Sequence, residues 1–167
     1  MKSSSYWLSI LSVFMVSILI SCEKPDITED PDLLNALYSN SFDTVIIDDS
    51  NYFLETEITR NLMPGGPIPT KRKLVALIYL VKADSLPILS SIDITRLYII
   101  KGNLIWTSKP SDSNLTQVPD YKLDKLSNEG PEWETDIYVD AVAEIIDNLN
   151  NKKSLVIARD QYITALY

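Results

Sequence analysis

The chain contains no histidine and only one cysteine, Cys22, among its 167 residues. Without an imidazole, neither a Ser-His-Asp triad nor a Cys-His pair can form, and the commonest protein ligand of zinc and iron is missing. A single thiol also excludes a disulfide within the chain. The sequence therefore predicts no catalytic residue, no metal site and no cofactor.

Basic residues are scarce as well. The chain has 15 Lys and Arg against 23 Asp and Glu, so its net charge is −8 at pH 7. Nucleic acid and anionic lipid surfaces both repel a chain of that charge. The glycine pair at residues 65–66 also lacks the Gly-Lys-Ser/Thr tail of a phosphate-binding loop. We therefore expect no nucleic-acid partner and no electrostatic docking on anionic lipid.

The start of the chain has the order of a secretory signal. Lys2 precedes an apolar run over residues 6–20, and small residues lead to Cys22. A run of about 15 residues is too short for a permanent membrane span. Residues 1–21 are therefore predicted to be a signal peptide. This signal could belong to a lipoprotein, with Cys22 as the lipidated residue. The alternative is an ordinary cleaved signal in which Cys22 is an unrelated thiol.

The residues around the predicted cut, Leu19, Ile20, Ser21 and Cys22, resemble the lipobox of bacterial lipoproteins. The resemblance implies that Cys22 is acylated and becomes the first mature residue. Several acyl chains make a lasting anchor, because one chain alone binds a membrane only marginally. Glu23 after the cysteine implies sorting to the outer membrane of a Gram-negative cell. Periplasmic face and cell surface both stay open, since the following acidic residues resemble surface-export tracts.

The mature chain is long enough for one domain with a substantial core. Residues 22–29 are charged and aperiodic, which predicts a tether. Asp30 as an N-cap and Pro31 at the first helical position predict a short helix or turn over residues 30–38. We therefore divide the mature chain into a lipid-anchored tether with a short helix, 22–40, and a β domain, 41–167.

Strand patterns dominate the predicted β domain. Residues 52–60 alternate between apolar and polar, whereas residues 74–81 are apolar on both faces, as in a central strand, with a buried helix as the alternative. Gly102 and Asn103 separate two apolar runs and predict a hairpin. Residues 108–131 are the least patterned and predict a long loop, and loops of this kind often determine binding specificity. Residues 133–147 fit strand and helix spacing equally well, and we prefer a strand because it pairs naturally with residues 154–158.

These elements predict an all-β fold. Their order, with a Pro-Gly loop at residues 61–67, Trp106 after the hairpin and a C-terminal hairpin containing Asp160 and Tyr167, resembles secreted bacterial domains of immunoglobulin-like type that have no assigned activity. The resemblance implies an immunoglobulin-like antiparallel β-sandwich of about seven strands. The disulfide of antibody domains is missing, so aliphatic packing must hold the core.

Two acidic pairs are candidates for sugar chemistry. Glu55 and Glu57 share one strand face, as the paired carboxylates of glycosidases must lie close together, but a solvated outer face explains them as well. Glu132 and Glu134 flank Trp133, as the acids beside a sugar-stacking platform do. A core tryptophan is the alternative there.

Two further clusters have structural explanations. Asp48, Asp49 and Asn51 offer oxygen ligands for calcium, but their spacing matches no EF-hand and an ordinary turn explains them. The basic residues 71–73 flank a strand, where lysines discourage edge-to-edge pairing.

Three functions fit these observations. The first is a lipid-anchored, non-catalytic binding or assembly module of the cell envelope, with a glycan or an envelope protein as partner. The second is a glycan-binding accessory lipoprotein of a carbohydrate-uptake system, for which Trp106, Trp133 and Tyr121 are the candidate ligand contacts. The third is a small hydrolase, which needs two carboxylates in a cleft.

Overall fold

The computed structural model describes residues 25–62, 72–115 and 117–167. These residues form one α-helix, α1 (Pro31–Asn40), and eleven strands. The strands are β1 (Asp26–Thr28), β2 (Ser41–Phe42), β3 (Val45–Ile47), β4 (Ser50–Asn61), β5 (Leu74–Lys82), β6 (Ile92–Lys101), β7 (Leu104–Ser108), β8 (Ser111–Asp112), β9 (Lys122–Ser127), β10 (Tyr138–Asp147) and β11 (Lys152–Leu166). The all-β prediction is confirmed.

The strands form one continuous mixed sheet in the order β1-β7-β6-β10-β11-β4-β5-β9-β8. Inward side chains from β6, β7 and β10 share one core cluster with those from β4 and β5, so the sheet curls around its own core. The expected arrangement of about seven antiparallel strands in two sheets is not what the hydrogen bonding shows. Strand β11 pairs in parallel with β2 and β4, and it joins the two halves of the sheet.

The long strand β11 explains this difference. Residues 152–162 pair with β10 and residues 163–166 pair with β4. Within the pairing with β10 the register shifts between Val139 and Ala141, and Asp160, on the other strand at this point, has a φ of 54°. A bulge of this kind bends a strand and increases its twist. Residues 152–166 are therefore one strand with a bend at Asp160.

The strand predictions in the core are confirmed. On β5, every second side chain is completely buried: Leu74, Ala76, Ile78 and Leu80. Gly102, with a φ of 60°, forms the predicted turn between β6 and β7. Residues 138–147 form strand β10, which pairs with β11 and β6 and thereby settles the choice between strand and helix. Strands β8 and β9 lie within the stretch that showed no pattern.

Helix α1 begins as the sequence predicts. The Asp30 carboxylate accepts hydrogen bonds from the backbone N–H groups of Asp32 and Leu33, both 3.0 Å long. The helix packs on the outer face of the sheet, where Leu37 joins a second apolar cluster with side chains of β6, β7, β10 and β11. Part of the predicted tether is also folded, since β1 pairs with β7 from Asp26 to Thr28.

Candidate binding groove

A broad groove of about 850 Å³ lies on the outer face of β4, β5 and β9. One side is formed by the loop before β9, with Gln117, Val118 and Pro119. The groove combines aromatic, amide and charged side chains, which is the mixed character of small-molecule binding sites. We call it the β4–β9 groove.

The floor of the β4–β9 groove is set by strand register. Glu55 on β4 lies opposite Tyr79 on β5, and Tyr79 lies opposite Asp124 on β9. Because side chains alternate along a strand, Glu57 points to the same face as Glu55. Both glutamates are exposed, whereas Tyr52, Leu54 and Ile58 in the same region of the strand are buried. The predicted outward pair is therefore present, at the edge of a cavity.

Lys122 links the charges of the groove. Its ammonium forms an ion pair with the Glu55 carboxylate and lies 5.3 Å from the centre of the Tyr79 ring. The hydrogen bond to Glu55 is the main cause that raises the pKa of Lys122. At neutral pH the groove thus holds a charged lysine placed between a carboxylate and an aromatic face.

The Tyr79 hydroxyl lies near acidic groups. Burial, followed by the charges of Glu57 and Asp124, raises the Tyr79 pKa above its usual value. The phenol therefore stays protonated at neutral pH, while the glutamate oxygens can accept hydrogen bonds from a ligand.

Two hydrogen bonds connect the sides of the groove. The Ser113 hydroxyl, which follows β8, hydrogen-bonds to the Asp124 carboxylate on β9, and the Thr56 hydroxyl on β4 donates to Oε1 of Gln161 on β11 at 2.7 Å. Tyr121, at the end of the loop, lines the groove and is half-buried. The excursion that the sequence marked as a place for specificity therefore forms one wall of the cavity.

The three predicted ligand contacts separate in the structure. Tyr121 lines the β4–β9 groove. Trp106 and Trp133, in contrast, are core residues with 2% and 7% exposure. The reason is their position: Trp106 faces inward on β7, and Trp133 belongs to the same core cluster, with its backbone carbonyl accepting a hydrogen bond of 2.6 Å from Arg60. Neither tryptophan can present its ring to a ligand in this conformation.

The acids beside Trp133 belong to ion pairs. Glu134 pairs with Lys101, and Glu132 lies 3.9 Å from the guanidinium of Arg60. Both side chains are largely exposed. They therefore lie on the surface above a buried tryptophan and do not frame an aromatic platform.

The calcium candidates form a turn. Asp48 and Asp49 have φ values of 45° and 58° and connect β3 to β4. Within the described part of the chain, no group of three or more acidic, histidine or cysteine side chains could hold a metal ion. Of the basic run, Lys73 pairs with Glu129, whereas Lys71 lies outside the described residues, as do Cys22 and residues 64–67.

Sequence reasoning missed Tyr79, Gln117 and Gln161 as groove residues. Tyr79 lies in a run that is apolar on both faces. Its hydroxyl was the one sign in the sequence that this side chain could face a polar site. The two glutamines reach the groove from a loop and from β11, so only the tertiary arrangement brings them to Glu55.

Comparison with protein-family models, with curated proteins and with solved structures finds no match to this chain. No helix among the described residues is long and apolar enough to cross a membrane. The functional argument therefore depends on the chemistry of the β4–β9 groove and on the N-terminal sequence.

Proposed function

We propose that this chain is a lipid-anchored, non-catalytic binding module of the bacterial cell envelope, and that the β4–β9 groove is its binding site. The observation that carries the proposal is the convergence of Tyr79, Tyr121 and Glu57 in one cavity of about 850 Å³. Such a cavity offers ring faces and hydrogen-bonding groups to one ligand.

The anchor in this proposal is Cys22. Its support is the lipobox-like order of residues 19–22 behind an apolar run of signal-peptide length. Acylation of Cys22 would hold the domain at the outer membrane, with the sorting implied by Glu23. The partner would then be a molecule of the envelope or of its surroundings.

Binding fits the two groove glutamates better than hydrolysis does. A general acid needs a carboxyl that burial keeps protonated at working pH. Glu55 and Glu57 are both exposed, and Glu55 pairs with the Lys122 cation. Exposure and this ion pair favour carboxylates that serve as hydrogen-bond acceptors.

A glycan is the second candidate, as the ligand of an accessory lipoprotein in carbohydrate uptake. The apolar face of a sugar ring packs on an aromatic ring, and its hydroxyls need both acceptors and donors. Tyr79, Tyr121 and Phe53 supply rings, Glu57 is an acceptor, and the Gln117 amide is both donor and acceptor.

Native tryptophan fluorescence is a poor reporter for this groove, because Trp106 and Trp133 are buried. We therefore propose Tyr121→Trp as a reporter inside the groove and Tyr138→Trp, at a position 66% exposed, as a matched reporter outside it. Each protein is titrated with a panel of soluble polysaccharides and envelope extracts.

A saturable shift in tryptophan fluorescence that occurs only in the Tyr121→Trp protein supports the groove as the binding site. If a polysaccharide causes that shift, the result supports a glycan as the ligand. Loss of that shift in a Glu57→Gln background confirms that the glutamate contributes. Equal shifts in both reporters, or none across the whole panel, contradict the proposal.

A further inference from the structure

The chain enters the fold at the place where the two ends of the curled sheet meet. The first strand of the sheet path is β1 and the last is β8. Residues next to both strands line one cavity of about 350 Å³, and Pro25, the first described residue, is among them. We call this surface the N-terminal seam; it consists of the half-buried Pro25 and the exposed residues Asp26, Lys109, Ser111, Asn128 and Glu129.

Very little chain separates the seam from the predicted anchor. Glu23 and Lys24 are the two residues between Cys22 and Pro25. A chain spans at most about 3.6 Å per residue, so the three steps from Cys22 to Pro25 reach about 11 Å. The headgroup region on each side of a bilayer is about 5 to 8 Å thick, and an acylated cysteine lies at its inner boundary. Only a few ångströms remain between Pro25 and the headgroups.

We propose that the N-terminal seam is a membrane-contact surface that rests on the lipid headgroup layer. This inference depends on the acylation of Cys22 in the proposed function. The tether cannot become longer without breaking the pairing of β1 with β7, because Asp26 already pairs with Thr107. The domain is therefore held close, with one defined side toward the bilayer.

The chemistry of the seam suits this partner. It carries Lys109 together with Asp26 and Glu129, so charges of both signs are interspersed, as they are in a zwitterionic headgroup layer. The contact also covers β1, a three-residue edge strand whose outer backbone groups form no pair within the described sheet. Short edge strands that are covered are protected from pairing with other chains.

The proposed contact leaves the β4–β9 groove accessible. On β9, Leu126 lines the seam cavity and Lys122 lines the groove. Four residues of strand correspond to about 13 Å, so the groove lies farther along the strand axis than the seam. A ligand can then reach the groove while the seam stays on the membrane.

The experiment uses the chain's lack of other cysteines. Once Cys22 is acylated, an introduced cysteine is the free thiol for a fluorophore. Ser111→Cys places the label at the seam. Thr44→Cys is the matched control: Thr44 is also exposed, and it follows β2, which pairs with β11, the strand four places from both β1 and β8 in the sheet path. The acylated, labelled proteins are reconstituted into phosphatidylcholine vesicles that contain a headgroup-nitroxide lipid.

We expect the nitroxide to quench the label at position 111 several-fold more than the label at position 44. A flexible Gly-Ser insert of about 20 residues between Lys24 and Pro25, which spans roughly 25 Å, should abolish the difference. Equal quenching in a protein whose intact mass includes the acyl chains would overturn the seam contact and leave the anchor in place. Absence of acyl mass would overturn the anchor and the seam contact together.

Discussion

The hydroxyl of Tyr38 donates a hydrogen bond of 2.7 Å to Oδ2 of Asp140, 102 residues away in the sequence. This bond fastens helix α1 to strand β10 on the outer face of the sheet. The guanidinium of Arg159 lies 5.9 Å from the centre of the same tyrosine ring. The helix that follows the predicted anchor is therefore part of the folded domain.

The Tyr38 contact predicts a specific alkaline instability. Burial is the main cause that raises the pKa of Tyr38 to about 12, and the hydrogen bond to Asp140 adds to it. Because the folded protein holds this proton more tightly than the unfolded chain, the stabilisation is complete below pH 10 and is lost as the pH rises toward about 12. Tyr38→Phe should remove this dependence and cost about 1 kcal/mol at neutral pH.

Urea unfolding at neutral and alkaline pH tests this prediction. Tyr167→Phe is the matched control, because Tyr167 is 80% exposed. A Tyr38→Phe protein that loses as much stability between neutral and alkaline pH as the control would contradict the assignment.

Gly130 is predicted to be intolerant of any side chain. A Cβ at this position would lie 2.7 Å from the ring of Trp106 and 2.8 Å from Cβ of Leu74. The approach is that close because Gly130 and Leu74 also share a backbone hydrogen bond of 3.0 Å. Gly130→Ala should cost about 2 to 3 kcal/mol through overpacking.

Gly102→Ala is the comparison for that substitution. Its Cβ would meet nothing within 4 Å, but its φ of 60° makes alanine unfavourable, so we expect a cost of about 1 kcal/mol. The free energy of unfolding of both variants is measured by urea denaturation. A smaller cost at Gly130 than at Gly102 would show that the packing around Trp106 is looser than described.

Removing Lys125 should destabilise the fold less than removing its two acidic partners. This lysine is 8% exposed, and its ammonium lies 2.7 Å from Asp93 and 2.6 Å from Asp112, which connects β9 to β6 and β8. Lys125→Met should cost about 1 kcal/mol or less, because the two freed carboxylates face solvent. Replacing both aspartates by asparagine should cost about 2 to 3 kcal/mol, since it leaves a buried charge uncompensated.

The pH dependence of the Lys125 cluster follows from the same contacts. Burial opposes the charged lysine, but the hydrogen bonds and charges of Asp112 and Asp93 together outweigh it, so the Lys125 pKa is raised. Its contribution to stability should persist up to the ordinary lysine range near pH 10.5 and decline above it. Thermal unfolding of the wild type and of Lys125→Met across this range should converge at high pH; parallel curves would contradict the cluster's role.

Local sequence signals predicted the elements that depend on neighbouring residues. The Asp30 cap, the alternation before and after Glu55, and the Gly102 turn each act within a few residues, and each is present. What they could not predict is pairing over long distances. The parallel contact between Ile163 and Ile58 depends on the bend at Asp160, which lies within strand β11.

The β4–β9 groove was predictable only in pieces. Glu55, Glu57 and Tyr121 were each marked by their residue type and local pattern. Their convergence with Tyr79 depends on the register of β4, β5 and β9 and on a loop without periodicity. Trp106 was marked for the same reason as Tyr121, but an aromatic residue alone does not reveal which side of the sheet it faces.

Cys22→Ser is the direct genetic test of the anchor. Without the thiol, acylation and the cleavage that follows it should both fail. The variant protein should keep its signal peptide or appear in the soluble fraction, while Ser21→Ala, which keeps a small residue before the cysteine, should behave as wild type. Normal membrane fractionation of a Cys22→Ser protein would contradict the anchor.

The intact mass of the native protein, purified from membranes, tests the central claim most directly. We predict that the chain begins at Cys22 and that its mass exceeds that of residues 22–167 by the mass of several acyl chains. A chain that begins at another residue, or one without acyl mass, would contradict the lipid-anchored binding module and the membrane contact inferred from it.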